Sequence, residues 1–409
     1  MKTITSKPIC KINSAGGVTT PAGYRAGGVH CGIRRKKLDL GWLISDTPAT
    51  AAAVYTTNQF QAPPLKVTKE SIFTAHKIQG VLVNSGVANA CTGEKGLQDA
   101  YEMRSQFAQT AGIAPEHAAV ASTGVIGVPL PVEKISQGLT AFYDEENEGT
   151  NRFEKAILTT DTCEKTASVE LVIDGKTVTI GGAAKGSGMI DPNMATMLAF
   201  LTTDAEVAWE SLQNALKEAI DRTFNMITVD GDSSTNDMVL LMANGHAGNH
   251  TLHEGHPQWA EFCEALQTLC ESLAKSIAKD GEGATKLIEV SVTGAESDAG
   301  AKRIGKAIIS SNLVKTAVFG SDPNWGRIVC AIGYSNEPVI PEKVDVFLGP
   351  VPVVAQGLPL PFDEGAAKEY LNNDTISIHA HLGQGEGEAK AWGCDLTYDY
   401  VKINASYRT

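Results

Sequence analysis

The chain has 409 residues, 43% of them hydrophobic, enough to bury the core of two or three domains or of one large α/β body. Its formal net charge of −13 and isoelectric point near 5.2 argue against nucleic acid or an anionic membrane as a main partner. No stretch approaches the roughly 18 apolar residues of a membrane span, and the mixed start MKTITSKPICKINSAGG has neither a secretory apolar run nor the Arg-rich length of a transit peptide, so a cytoplasmic protein is expected.

The cysteines, Cys10, Cys31, Cys91, Cys163, Cys263, Cys270, Cys330 and Cys394, form no C-x-x-C pair and read as reduced, buried thiols. Along the first 60 residues, Leu40–Ile44 and Ala51–Tyr55 read as two strands separated by Ser-Asp-Thr-Pro. Arg34-Arg35-Lys36-Lys37 is the one dense basic run and reads as a solvated turn. His30 and Cys31 sit in a Gly-rich turn, where two ligands alone do not make a zinc site. Ile78–Val83 is a compact apolar strand. A helix is expected over Leu97–Ala111, with Ala100, Met103, Phe107 and Ala111 at spacings of three and four. Cys91 has no nearby base in the sequence and reads as a buried thiol.

The segment Ala118–Val128 runs as a strand into Ser122-Thr123-Gly124 and bends at Gly127. A Thr-Gly pair at a strand end can present a hydroxyl and a bare N–H, the two donors of an oxyanion hole, or it can simply turn. Pro131 opens a helix at its first position. Lys155–Thr162 offers strand-end hydroxyls at Thr159 and Thr160. Val169, Leu171 and Ile173 alternate before Asp174-Gly175, which predicts a hairpin over Ser168–Ile180 with a type I′ turn.

That hairpin delivers the chain to GGAAKGSGMIDPNMATMLAF, Gly181–Phe200. Pro192 and the glycines oppose a regular element up to Asn193, and the apolar run Met197–Leu201 reads as a short buried strand. A Thr at the head of such a strand, after a strained turn, is either an ordinary strand-start residue or the nucleophile of a self-cleaving N-terminal-nucleophile enzyme. In the second case, a break between Ala195 and Thr196 frees an α-amine with a pKa of about 7.7–8.0, a suitable base for its own hydroxyl.

Beyond it, Asp204 reads as the cap of a helix reaching Thr223, with Trp209, Leu212, Leu216 and Ile220 on its apolar face. TVDGDSSTNDM gathers carboxylates and hydroxyls but lacks EF-hand spacing. His246, His250, His253 and His256 lie among glycines that oppose a helix, and so read as a solvent loop. A long helix is predicted over Trp259–Lys279, its core stripe being Phe262, Leu266, Leu269, Leu273 and Ile277. Glu282, between two glycines, is exposed or faces a ligand. Leu287–Val292 alternates as a strand. Ser297–Val314 reads as a helix capped by Ser297 or Asp298, and Gly320–Gly326 as a turn over a packed Trp325. Strands are expected over Val344–Leu348, Thr375–His381 and Ala389–Asn404. Gly383, Gly385 and Gly387 are not followed by the Lys-Ser/Thr of a phosphate loop.

Eight stretches, taken in order, resemble the glutamate N-acetyltransferase (ornithine acetyltransferase) family. They are PAGYRAGGVHCGI from Pro21, VNSGVANACTG from Val83, STGVIG from Ser122, LTTDT from Leu158, KGSGMIDPNMATMLAF from Lys185, FNMITVDGDSSTNDM from Phe224, FGSDPNWGRI from Phe319, and AWGCDLTYDYVKINASYRT from Ala391. The resemblance spans nearly the whole chain; Met238 stands where family members often carry Thr or Ser.

It implies an α/β fold of layered sheets covered by helices, N-terminal-nucleophile-like. It also implies transfer of acetyl from N2-acetyl-L-ornithine to L-glutamate in arginine biosynthesis, by an acetyl ester on Thr196. Cleavage between Ala195 and Thr196 would give an α segment (1–195) and a β segment (196–409), interleaved and paired as α2β2. Thr123 and Gly124 would hold the oxyanion. Thr159, Lys185, Thr196, Glu282, Asn404 and Thr409 would bind substrate. No metal or cofactor is required; some members also use acetyl-CoA, and no residue here decides that. A self-processing aminopeptidase of similar fold, or a non-enzymatic binding protein with Thr196 structural, are the competing readings.

Overall fold

The alternating residues of Lys165–Ile173 and Lys176–Lys185 form the expected hairpin, and Asp174 and Gly175 take the left-handed backbone of a type I′ turn, with φ 52° and 74°. This hairpin belongs to a computed structural model that describes residues 10–191 and 197–406. Among the described residues there are two sheets. In the nine-stranded sheet the order is Lys11–Asn13, Lys165–Ile173, Lys176–Lys185, Leu198–Thr203, Met238–Ala243, Leu40–Tyr55, Lys77–Val87, Ala118–Val125, with Tyr24–Val29 paired to the first part of Leu40–Tyr55. In the seven-stranded sheet it is Leu358–Pro359, Val351–Ala355, Asp345–Leu348, Thr375–His381, Leu287–Ala295, Gly387–Cys394, Ile227–Thr228.

The sheets are joined through the helix Trp259–Lys279, whose bounds match the expectation. All five of its stripe residues are fully buried. Leu269 and Leu273 press on Gly182 and Leu201 of the first sheet, so closely that a Cβ on Gly182 would lie 2.8 Å from Leu273. From the same helix Lys275 reaches Glu289 and Trp392 of the second sheet. The helix Asp298–Ser310 meets Val292 and Ala391, three residues and one residue away along those strands, at Gly305. Successive strand residues point to opposite faces, so the second sheet lies between these two helices. Helix Thr150–Ile157 covers the far face of the first sheet, where Phe153 meets Phe200 with ring centroids 5.4 Å apart. The expected layered α/β architecture is therefore present.

Several local expectations fail for tertiary reasons. Leu40–Tyr55 is one strand, not two. It carries a register shift between Ile44 and Ala49 around Pro48, and changes partner from Tyr24–Val29 to Met238–Ala243 across that bend. Lys155 lies in the helix Thr150–Ile157, and Pro131 is the residue before the helix Val132–Leu139. The helix expected from Leu97 already starts at Gly93. Asp204 caps nothing; its carboxylate accepts the N–H groups of Thr179 (2.8 Å) and Ala22 (3.1 Å), and the helix begins at Trp209. Ser297 caps its helix as expected, but that helix stops at Ser310, and Ser311 caps a new one, Asn312–Phe319. Trp325 opens a further helix, Trp325–Gly333. The last expected strand ends at Cys394 and is followed by the helix Tyr398–Ser406, which has no buried residue. Cys91, Cys163 and Cys330 are exposed rather than buried.

Leu273→Ala opens a cavity between helix and sheet, and is expected to lower stability by about 2–5 kcal/mol, read from the urea midpoint at constant slope.

Candidate active site

Strands Lys77–Val87 and Ala118–Val125 run parallel and end together. At that edge Gly124 has φ +127°, and a Cβ there would lie 2.3 Å from the carbonyl carbon of Gly86. Only glycine fits this approach. Asn236 stitches the edge from beneath, its side-chain amide donating to the carbonyls of Ala88 (2.6 Å) and Ser122 (2.9 Å). Thr123 and Gly124 thus reach the wall of a cleft of about 230 Å³.

The same cleft is lined by Thr159, Thr160, Lys185, Glu282 and Asn404. Seven of the residues singled out in the sequence, 281 positions apart at the extremes, therefore share one small concavity. Ala195, Thr196 and Thr409 lie outside the described residues. The chain resumes beside the cleft at Met197, which is 1% exposed and whose carbonyl accepts the Met238 N–H at 3.0 Å.

A buried ionic network underlies the floor. Lys165 Nζ lies 2.6 Å from both Asp161 Oδ1 and Asp280 Oδ2. Asp161 also accepts the N–H of Gly186 at 2.7 Å and of Thr159 at 3.0 Å, which fixes the residue after Lys185 against the Thr159 loop. Arg34 is no solvated turn residue: its guanidinium donates to the carbonyls of Leu158 (2.6 Å) and Thr159 (3.0 Å). Past Lys185, Ser187 donates to the Asp280 carbonyl at 2.6 Å, and its own carbonyl accepts the Glu282 N–H at 3.0 Å. Asp230 accepts the N–H groups of Met189 (2.7 Å) and Ile190 (2.8 Å) and the Tyr400 hydroxyl (3.2 Å). The expected solvent-exposed or ligand-facing Glu282 is 8% exposed, turned into the cleft, and held by Asn404 Nδ2 at 2.8 Å. It fits there because residue 188 is glycine; a Cβ on Gly188 would lie 2.3 Å from the Glu282 carboxyl carbon.

The charges are tuned by enclosure. Desolvation lowers the Lys185 pKa, against the attraction of Asp161, Asp237 and Glu282. Burial alone would raise Asp161, but the ammonium groups of Lys165 and Lys185 outweigh it and hold the carboxyl at about 2. The arrangement offers one cation, Lys185, the acidic side chains of Asp230, Asp232, Asp237 and Glu282, several hydroxyls and a bare backbone N–H, in a space below the roughly 300–1,000 Å³ of drug-sized pockets. That set suits a small zwitterion.

Asp161, Asp230, Asn236, Asp237, Arg34 and Tyr400 carry no role in the sequence reading. Asp161 stands in the quoted LTTDT, and Asp230, Asn236 and Asp237 in the loop weighed for metal, so their motifs are visible although their partners are not. The oxygens of Asp230 are spent on the backbone and on Tyr400.

Asp161 is held below its ordinary value of 3.8, so it contributes stability above that value, lost as pH falls through its folded value near 2. Acid titration by circular dichroism should show stability falling between about pH 4 and 2, and Asp161→Asn should flatten that part of the curve.

Among the described residues no helix is long and apolar enough to cross a membrane. The profile of the ArgJ family matches residues 25–409. The chain is 56% identical over 409 residues to the "Arginine biosynthesis bifunctional protein ArgJ" of Oceanobacillus iheyensis, covering all of both chains. It is 57% identical over 398 residues to the protein of that name from Bacillus subtilis strain 168, covering 97% of this chain and 98% of that one. A solved structure of the Bacillus halodurans protein of that name, 56% identical, superposes with a TM-score of 0.51 and covers 52% of this chain and 100% of its own. These relatives favour the transferase over the aminopeptidase and binding-protein readings. With a family profile covering nearly the whole chain and full-length relatives above half identity, this protein belongs to the ArgJ family.

Proposed function

We propose that this protein moves the acetyl group of N2-acetyl-L-ornithine to L-glutamate by way of an acetyl ester on Thr196. The observation that carries this reading is the meeting of Thr123, Gly124, Thr159, Lys185, Glu282 and Asn404 in one cleft beside Met197, the residue to which Thr196 is bonded. The precursor cuts itself before Thr196. The segments 1–195 and 196–409 stay interleaved, since their strands Lys176–Lys185 and Leu198–Thr203 are neighbours in one sheet. The mature particle is an α2β2 assembly.

In the first half-reaction the Thr196 hydroxyl, deprotonated by its own α-amine, attacks the acetyl carbonyl. The Thr123 hydroxyl and the Gly124 N–H receive the developing oxyanion, worth about 3 kcal/mol for a well-placed donor. Ornithine leaves, glutamate enters, and its amine takes the acetyl group. Lys185 pairs with the substrate carboxylate. Glu282, steadied by Asn404, pairs with the ornithine side-chain ammonium; Thr159 and the terminal Thr409 complete the contacts. The chemistry needs no metal or cofactor. The relatives' name "bifunctional" supports acetyl-CoA as a second acetyl donor. The eight free thiols suit the reducing cytoplasm.

Intact-mass analysis of the purified protein should give two fragments meeting at Ala195/Thr196, and Thr196→Ala a single uncut chain without acetyl transfer. A single chain in both would remove the α-amine base and with it this mechanism. Release of ornithine without glutamate would return the hydrolase reading. Gly188→Ala should fold and be cut, yet displace the Glu282 carboxylate and lower kcat/KM for acetylornithine by about 10–100-fold.

A further inference from the structure

One buried acid of the cleft has no task in that mechanism. Asp237 is 4% exposed and lines the cleft, and its Oδ2 is enclosed without a hydrogen-bond partner among the described residues. Its backbone is held firmly. The Asp237 carbonyl accepts the Thr56 N–H at 3.0 Å, and the next residue donates to Met197 at 3.0 Å. The strand Leu198–Thr203 has Lys185 paired with Leu198 on one side and Met238 paired with the same residue on the other. Lys185 and Asp237 therefore flank the start of the strand that continues Thr196, at the same edge of the sheet.

A buried carboxyl oxygen without a hydrogen-bond partner is costly to keep, and the cleft is where a partner can arrive. Apart from the ornithine side-chain ammonium, which Glu282 takes, the groups that enter during the proposed reaction and carry N–H are the acetamide nitrogen of acetylornithine and the ammonium of glutamate. Burial pushes the Asp237 carboxyl well above the usual range, against the pull of Lys185 and the hydrogen bonds of Ser234. That direction favours a carboxyl that begins the cycle protonated. Resting on the transfer reading above, we propose that Asp237 is the acid–base group for the substrates' α-nitrogen, giving a proton to the departing ornithine amine and taking one from the arriving glutamate ammonium.

The protons balance. In the first half-reaction the C–N bond breaks and the Thr196 Oγ–C bond forms. The hydroxyl proton passes through the Thr196 amine to the leaving nitrogen, and Asp237 adds its own, so ornithine leaves as an ammonium and Asp237 as a carboxylate. In the second, the glutamate ammonium returns one proton to Asp237 and attacks as a neutral amine. A second proton passes from its nitrogen through the Thr196 amine to Oγ as the ester bond breaks. Asp237 ends the cycle protonated, as it began.

The test compares wild type with Asp237→Asn in two transfers. One is acetylornithine to glutamate. The other is p-nitrophenyl acetate to hydroxylamine, whose leaving group departs without a proton and whose acceptor is already a neutral amine. The first should fall by about 100-fold or more, while the second stays within a few-fold of wild type. Equal losses in both, or no loss in either, would overturn the proposal, as would a folded Asn variant that is not cut, since Asp237 would then serve cleavage. If Asn does not fold there, Asp237→Glu carries the test, and must still lower the first transfer more than the second. Wild type that performs only the second would sink the transfer reading itself, separately from the role of Asp237.

Discussion

Lys165 is buried between two carboxylates, and both the Thr159 loop and the turn after Lys185 are fastened to that trio. Asp161 reaches from it to the backbone of Thr159 and Gly186, while the Asp280 backbone takes the Ser187 hydroxyl on the other side. The three charges are short of one full pair, and the surplus negative charge favours the nearby Lys185 ammonium even though its enclosure opposes it. Buried ions of this kind add little net stability, because desolvation consumes most of the attraction. What they supply is geometry. The turn after Lys185 cannot shift without breaking the Gly186 N–H bond to a buried carboxylate.

On that foundation the site is assembled from edges. Thr123 and Gly124 stand at the end of two parallel strands, Lys185 at the end of a third, and Asp237 at the head of a fourth. Glycine at 124 and at 188 lets backbone and carboxylate come closer than any side chain would allow. The terminal helix Tyr398–Ser406 contributes no core; it is held over the cleft by the Tyr400 bond to Asp230 and the Asn404 bond to Glu282. Two polar contacts to cleft residues place it, together with the Tyr398 ring set edge-on against Phe319.

The long amphipathic helix and the hairpin turn at Asp174-Gly175 were legible because each depends on residues a few positions apart. A 3–4 spacing buries one helix face wherever the helix goes, and Asp-Gly accepts the left-handed backbone unaided. The bend in Leu40–Tyr55 was not legible, since what keeps that stretch extended is a pair of neighbouring strands from elsewhere in the chain. The helix Tyr398–Ser406 misled for a related reason: with no buried face, it has no periodicity to betray it. Arg34 looked solvated within a basic run, and only the loop at Leu158 and Thr159 gives its guanidinium something to hold.

Which residues have chemistry worth gathering can be read from the motifs of the chain. Long motifs carried the family, and with it Thr123, Gly124, Thr159, Lys185, Glu282 and Asn404, because motif identity is a local property. Tertiary structure decided what supports them. Asp161 gains its meaning from Lys165 and Gly186, Glu282 from the missing Cβ of Gly188, and Asp237 from standing across a strand from Lys185. A carboxylate's role depends on which charges, donors and walls surround it, and those come from positions far apart in the chain, brought together only when the two sheets close on their shared helix.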